Sequence, residues 1–425
     1  MSVNVYEILK ERGFLYQTTD DENIAKMLGE EKITCYIGFD ATADSLHIGS
    51  LVPIMALAHM QKAGHRPIAL LGGGTTMVGD PSGKTEMRKM LTIEEIKQFG
   101  EGIKAQFARY IDFSGDKALL LNNADWLIPL NYIEFLRDVG VYFSVNRMLT
   151  AESVKLRLEA GLSFIEFNYQ LLQAYDFYVL ARDYNCLMQM GGQDQWGNIV
   201  AGSDLTRRKT GKQVYGMTFP LITTSSGEKF GKSAGNAIWL DQNKTPPYDF
   251  YQYFRNADDR DVEKYLGLFT LLPMDEVRRL PKENVNRAKE ILAYEVSRLC
   301  HGEEEAVKAF TASVGQFGEA DPEGNVATSS GLGQIKPDAA STLPTAELPK
   351  SLLEEGLWVV KLFAESGLCA SNGEARRLIK QGGAVINENK VTDENQTLTA
   401  ADLTDGALIL KAGKKRYKRV VFVTG

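Results

Sequence analysis

Cysteine is scarce in this chain of 425 residues: there are four, at positions 35, 186, 300 and 369, with no Cys-x-x-Cys pair. That scatter argues against a disulfide framework and against a cysteine-based zinc site, and it fits a reducing compartment. No run approaches the roughly 20 apolar residues that a membrane span needs. The first residues include Glu7, Lys10, Glu11 and Arg12, without the apolar core of a secretion signal. A cytoplasmic protein with no membrane contact and no protein-bound metal is expected. A basic excess is missing too. The 55 acidic residues outnumber the 48 basic ones, for a net charge of -7. That excludes a general nucleic-acid coat while leaving room for local basic patches.

Two familiar nucleotide signatures are also incomplete. Residues 79–85, Gly-Asp-Pro-Ser-Gly-Lys-Thr, imitate a P-loop, but the pattern needs glycine at 78, where Val78 stands. Pro81 also removes one N–H from such a phosphate nest. Gly72-Gly73-Gly74 follows a strand pattern but is not G-x-G-x-x-G, so a dinucleotide site is not indicated.

What is present is ordinary globular material, 44% hydrophobic and 24% charged. The length predicts two or three domains. The central stretch is 33–50. Ile33 to Phe39 has the β-branched, aromatic and apolar content of a buried strand. Asp40 to Ser45 is a polar turn. An apolar face then recurs at Leu51, Ile54, Met55 and Ala58, which is helical spacing, and Pro53 fits the first turn. His47, Gly49 and Ser50 therefore fall at a helix N-terminus, where free N–H groups favour a phosphate. Gly49, lacking a side chain, leaves room for a base or ribose.

Strand, helix and strand patterns alternate onward through Pro67–Leu71, Ile93–Tyr110, Ala118–Leu121, Leu187–Met190, Gln195–Lys209 and Phe219–Ile222. Such alternation predicts an α/β fold with a doubly wound parallel sheet, Rossmann-like, over residues 1–225. Residues 131–165 interrupt it with long helical patterns. Their apolar residues, among them Phe135, Tyr142 and Phe164, fit either internal core or a subunit surface. Residues 226–320 form the next unit, a loop at first and α-helical in character from Pro246. A Gly-, Ser-, Pro- and Thr-rich stretch, set at 321–348, reads as a linker. Residues 349–425 form a small α+β unit. Arg376, Arg377 and Lys380 on a helix and Lys414, Lys415 and Arg416 in the tail predict phosphate contact.

A second signal lies at 229–233, Lys-Phe-Gly-Lys-Ser, with two lysines around a glycine. Taken with His47-Ile48-Gly49-Ser50, this order and separation resemble the paired signatures of the class I aminoacyl-tRNA synthetases. Ser50 departs from that pattern, which usually has a second histidine there. Tyr169, Gln173 and Asp176 share one helix face by their spacing, and Tyr36 on the first strand is placed to point at the same pocket. A phenol and a carboxylate converging there pair naturally with a substrate hydroxyl. At this point the resemblance narrows to the bacterial tyrosyl-tRNA synthetase family. It runs along the whole chain and is strongest at 36–50, 79–88, 164–176, 189–198 and 229–233.

The resemblance implies a tyrosine–tRNA ligase using ATP with Mg2+ on the nucleotide, acting on L-tyrosine and tRNA(Tyr), as a homodimer in contact around 131–165. It implies that Tyr36 and Asp176 meet the substrate phenol and that Asp80, Tyr169 and Gln173 hold its ammonium group. Gln195 is implied near the carboxylate or the reaction centre, and Asp194 at the ribose. Asp40, Gly38, Gly49, Ser50, Gly192 and Ser233 fall around the nucleotide. Thr42 and His47 are implied at the γ-phosphate, and Lys229, Lys232, Lys84 and Arg88 at the pyrophosphate. Several relatives carry a ribose-contacting cysteine where Ile37 stands, and isoleucine donates no hydrogen bond. The region 226–320 is implied to bind the anticodon. Ser371-x-x-Glu374-Ala-Arg-Arg-Leu followed by Gly-Gly-Ala-Val-Ile-Asn resembles the alpha-L RNA-binding domain. The rival reading of Ser50 is a catalytically degenerate RNA-binding protein derived from a synthetase.

Overall fold

Thr34–Phe39 is a strand because its side chains find apolar neighbours on both faces, leaving only Gly38 exposed. In the computed structural model it sits near the middle of the main sheet. The structure describes residues 4–423 apart from 83–90, 151–153, 156–157, 159–160, 226–229, 234–235, 336–344, 355, 388, 405 and 414–415. The chain divides into two units, residues 1–246 with 256–285, and residues 247–255 with 286–425.

In the first unit the strands are β1 (Gln17–Thr18), β2 (Thr34–Phe39), β3 (Arg66–Leu71), β4 (Leu119–Asn122), β5 (Cys186–Gly192) and β6 (Tyr215–Phe219), in the order β1-β6-β5-β2-β3-β4. All neighbours pair in parallel except β1, which runs antiparallel to β6 at the edge. The chain moves one way from β2 to β3 and the other way from β5 to β6. Right-handed crossovers then put the intervening helices on opposite faces, so a crevice opens beyond the ends of β2 and β5. The helix after β2, Leu51–Lys62, points its N-terminus there, as does Trp196–Thr210 after β5.

Phe164–Asp183 leads into β5. A reciprocal capping box starts it: Ser163 Oγ accepts from Glu166 N–H, and the Glu166 carboxylate accepts from Ser163 N–H. Its Phe177, Leu180 and Ala181 pack with Tyr36, Ile68 and Leu70 from the sheet. This is the core that holds the helix against β2 and orients its polar face.

Three sequence expectations need correction. The strand expected at Phe219–Ile222 is Tyr215–Phe219, because Pro220 has no N–H to continue the ladder. The long helical patterns in 131–165 resolve into short pieces, Tyr132–Asp138 and Val145–Leu149 among the described residues. Much of the linker stretch is ordered. Asp321 accepts from the backbone N–H groups of Asn325 and Val326, Ser330 Oγ donates to Glu295 at 2.6 Å, and Thr345–Pro349 is a strand. Composition concealed the last two because Glu295 and Arg416–Val423 are remote in sequence.

In the second unit, helices Pro247–Arg255, Val285–His301 and Glu303–Phe317 precede a five-stranded sheet. Thr345–Pro349 lies at its edge, parallel to Arg416–Val423. The sheet's core, running from Leu348 to Val420, is drawn from that segment alone.

Candidate active site

The crevice is a cleft of about 860 Å³ in the first unit. Tyr36, Gly38, Asp40, Thr42, His47, Gly49, Ser50, Asp80, Tyr169, Gln173, Asp176, Gly192, Asp194 and Gln195 all line it. Residues far apart in sequence are thus brought together by the sheet order.

At the deep end Asp176 is 2% exposed. Asn123 Nδ2 donates to its Oδ2 at 2.9 Å, and Trp126 Nε1 donates to its Oδ1 at 2.7 Å. Burial pushes this carboxyl up to about 7 against the pull of those two donors, and the charge of Asp40 adds to the rise. Tyr36 is buried beside it, and its hydroxyl has no hydrogen-bond partner among the described residues. Burial holds that phenol well above its usual pKa, so it is a neutral donor. Gln189 Oε1, also lining the cleft, is buried and unpartnered too. Buried polar atoms without partners are costly, and a polar ligand group would relieve that cost.

Sequence reasoning missed Asn123, Trp126, Thr75 and Gln189. Asn123 is the junction: its Nδ2 also donates to Thr75 Oγ1 at 3.0 Å, and its Oδ1 accepts from Gly74 N at 2.7 Å. Thr75 Oγ1 in turn donates to Asp40 Oδ1 at 2.9 Å. A polar Asn-Asn pair at the end of β4, Asn122 and Asn123, was the available signal, since a strand end beside a crevice is where such residues reach a ligand.

The three residues assigned to the ammonium group sit along the cleft wall. Tyr169 Oη donates to Asp40 Oδ2 at 3.2 Å. Asp80 accepts from Gln195 Nε2 at 2.7 Å, and Gln173 Oε1 accepts from Asn198 Nδ2 at 3.0 Å. Tyr169, Gln173 and Asp176 do share one helix face, and that face turns inward.

At the outer end His47 and Thr42 are exposed. His47 caps the short turn Ile48–Ser50: its Nδ1 accepts from Gly49 N–H at 3.0 Å. That bond assigns the neutral ring proton to Nε2. A side chain at Gly49 would meet the imidazole at 2.6 Å, so the ring needs glycine there. Gly231, at φ +94°, belongs to the second signature and seats against the first: a Cβ on it would lie 3.3 Å from Ile48 and 3.6 Å from Gly49 N. Ser50 occupies the N-cap position of the helix Leu51–Lys62 and makes no side-chain capping bond.

Lys232 and Ser233 are described as strand backbone, paired with Asn236–Ala237. Lys84, Arg88, Lys229, Lys414 and Lys415 lie outside the described residues. In the second unit Arg376, Arg377 and Lys380 are exposed on the helix Asn372–Lys380. Arg376 lies over the Trp358 ring at 5.1 Å, Lys380 pairs with Glu394 at 3.4 Å, and Arg416 pairs with Glu374 at 3.4 Å.

Comparison with known proteins identifies the family. The family model described as "tRNA synthetases class I (W and Y)" matches residues 28–318. The model described as "Tyrosine--tRNA ligase SYY-like C-terminal domain" matches residues 337–420. The chain is 56% identical over 421 residues to the tyrosine–tRNA ligase of Clostridium botulinum strain Loch Maree, covering 98% of this chain and 99% of that one. It is 54% identical over 424 residues to the enzyme of that name from Clostridium tetani, covering 99% and 100%. A crystal structure of a C-terminally truncated Aspergillus nidulans mitochondrial tyrosyl-tRNA synthetase matches at 32% identity and a TM-score of 0.67, over 73% of this chain and 93% of that one. These relatives favour an enzyme over the degenerate RNA-binding alternative. With such identity along nearly its full length, the chain belongs to the class I tRNA synthetases, in the tyrosine–tRNA ligase family.

Proposed function

We propose that the cleft activates L-tyrosine with ATP and passes the tyrosyl group to the 3′ end of tRNA(Tyr), with the residues above in distinct roles. The observation that carries the reading is the deep polar end: an Asp176 carboxylate held by two donors, beside a Tyr36 hydroxyl with no partner among the described residues. A substrate phenol donates to Asp176 and accepts from Tyr36. Phenylalanine would leave the Tyr36 hydroxyl without a partner and would bring Asp176 no further donor, which is how such a site rejects it.

The substrate's ammonium group lies toward Asp80, Tyr169 and Gln173, and its carboxylate toward Gln195. One carboxylate oxygen attacks the α-phosphorus of ATP. The bond to the leaving pyrophosphate breaks, and the mixed anhydride tyrosyl-adenylate forms. Negative charge grows on the pyrophosphate, where Thr42, His47 Nε2–H and the cations Lys84, Arg88, Lys229 and Lys232 stabilise it. Asp40 faces the reacting groups, Asp194 the ribose, and Gly38, Gly49, Ser50, Gly192 and Ser233 border the nucleotide. A hydroxyl at the tRNA 3′ end then attacks the activated carbonyl and AMP leaves. Mg2+ is part of the same proposal, carried on the ATP phosphates as part of the substrate.

The helical region serves the anticodon. The C-terminal unit, with Arg376, Arg377, Lys380, Lys414, Lys415 and Arg416, holds tRNA phosphates. Ile133, Val141 and Phe164 are each about 70% exposed, in a stretch with other bare apolar residues. Such a patch supports a homodimer contact around 131–165. No described helix is long and apolar enough to cross a membrane, and the working location is cytoplasmic.

The test is ATP–pyrophosphate exchange with each of the twenty amino acids. Tyrosine alone should support it. Equal exchange with tyrosine and phenylalanine would refute the reading.

A further inference from the structure

Trp239 lies outside both signatures, yet it lines the cleft beside His47. The two rings meet edge to face, with centroids 6.4 Å apart and planes at 74°. Their backbones form an antiparallel bridge. Ile48 N donates to Ile238 O at 2.9 Å and Leu240 N to Leu46 O at 2.8 Å, so the register between the two segments is set on both sides of the bridge.

The indole is itself anchored. The Trp239 backbone N–H donates to Thr245 Oγ1 at 2.9 Å, and Thr245 is buried. Lys244 Nζ stands 4.8 Å from the indole centroid and pairs with Asp44. Asp241 N donates to Ser45 Oγ at 3.2 Å. Gln106 clasps the same place, donating to Ser45 Oγ and accepting from Leu46 N, both at 2.9 Å. Residues 44–46 and 239–245 thus close a ring of contacts around the approach to His47.

His47 is an exposed side chain whose Nδ1 accepts from Gly49 N–H. A small misplacement of Nε2 is costly when its contact with the phosphate must strengthen in the transition state. The indole edge against the ring limits such a tilt. Cation–π contact with Lys244, whose own charge is held by Asp44, keeps the indole from turning away.

We propose that Trp239 is a positioning residue for adenylate formation, acting through His47, with Lys244 and Asp44 as its support. This rests on the reading of His47 as a donor to the ATP phosphates.

The test is single-turnover tyrosyl-adenylate formation by Trp239→Ala, Trp239→Phe, His47→Asn and the double variant Trp239→Ala/His47→Asn. Trp239→Ala should slow the step about tenfold or more while tyrosine KM stays within about twofold, because the amino-acid end is untouched. Trp239→Phe, which keeps a ring edge, should recover most of the rate. In the His47→Asn background the tryptophan change should cost less than about twofold, since the group it positions is gone. Equal fold losses in both backgrounds, or a rise in tyrosine KM matching the loss of rate, would overturn the proposal. If His47→Asn alone has no effect, the reading of His47 fails first, and the two failures are told apart by that variant.

Discussion

Trp126→Phe is the cleanest probe of how the cleft recognises a phenol. The change removes one N–H and keeps an aromatic ring of similar placement. The lost bond is the 2.7 Å donation to Asp176 Oδ1, a bond to a charged group. Bonds of that kind contribute about 1.5–3 kcal/mol, which is roughly one to two pKa units. Asp176, already pushed up to about 7 by burial, should therefore rise by that amount. At pH 7.5 its ionised share would fall from about three-quarters to between about a quarter and a few per cent, by the same one- to two-unit shift. If the ionised carboxylate is the acceptor for the substrate hydroxyl, tyrosine kcat/KM at that pH falls between about threefold and twenty-five-fold. The loss should be recovered as pH is raised through the new pKa. The assay is tyrosine-dependent pyrophosphate exchange from pH 6 to pH 9.5, with phenylalanine as the control. A profile whose midpoint does not move would refute the reasoning, as would a parallel loss with phenylalanine.

Other predictions follow from the same geometry. Asp176→Asn should lose tyrosine activity or its preference over phenylalanine, read by exchange with both amino acids. It should also change stability in one direction. The folded pKa lies above the unfolded value of 3.8, so the proton on Asp176 favours the fold at low pH, and that contribution is lost as pH rises through about 7. Urea unfolding of the asparagine variant should lack that component of the fall, and identical pH dependence in the two proteins would contradict it. Deleting residues from 345 onward should leave adenylate formation nearly intact and cripple transfer to tRNA, because the removed sheet carries its own core. Aminoacylation by the shortened chain equal to that of the full one would count against the tRNA assignment of the tail. Ser50→Ala should slow activation no more than about tenfold, or about 1.4 kcal/mol, because the serine makes no capping bond and offers one uncharged hydrogen bond. His47→Ala should cost clearly more in single-turnover adenylate formation, and equal losses would give Ser50 a larger role.

Local physics made part of this protein legible from its residues in order. The strand at 34–39, the helix from Leu51 and the turn between them follow from apolar periodicity and from Pro53, which act over a few residues. The i, i+4, i+7 spacing put Tyr169, Gln173 and Asp176 on one face, since helical geometry needs no partner to be known. Periodicity does not say which way a face turns. Phe177 and Leu180, packed with Tyr36 and Ile68, decided that it turns inward. Nor does spacing reveal a contact across the sheet. Asn123 and Trp126 reach Asp176 only because β4, β3, β2 and the helix Phe164–Asp183 assemble in that order, and Trp239 reaches His47 only through a bridge nearly two hundred residues long in sequence. The strand at Thr345–Pro349 was hidden in an apparent linker for the same reason: its ladder is completed by Arg416–Val423, and hydrogen bonds between remote segments leave no local pattern. Residue type and spacing set the chemistry available to the cleft, while burial and long-range pairing set the charge, direction and partners of each group within it.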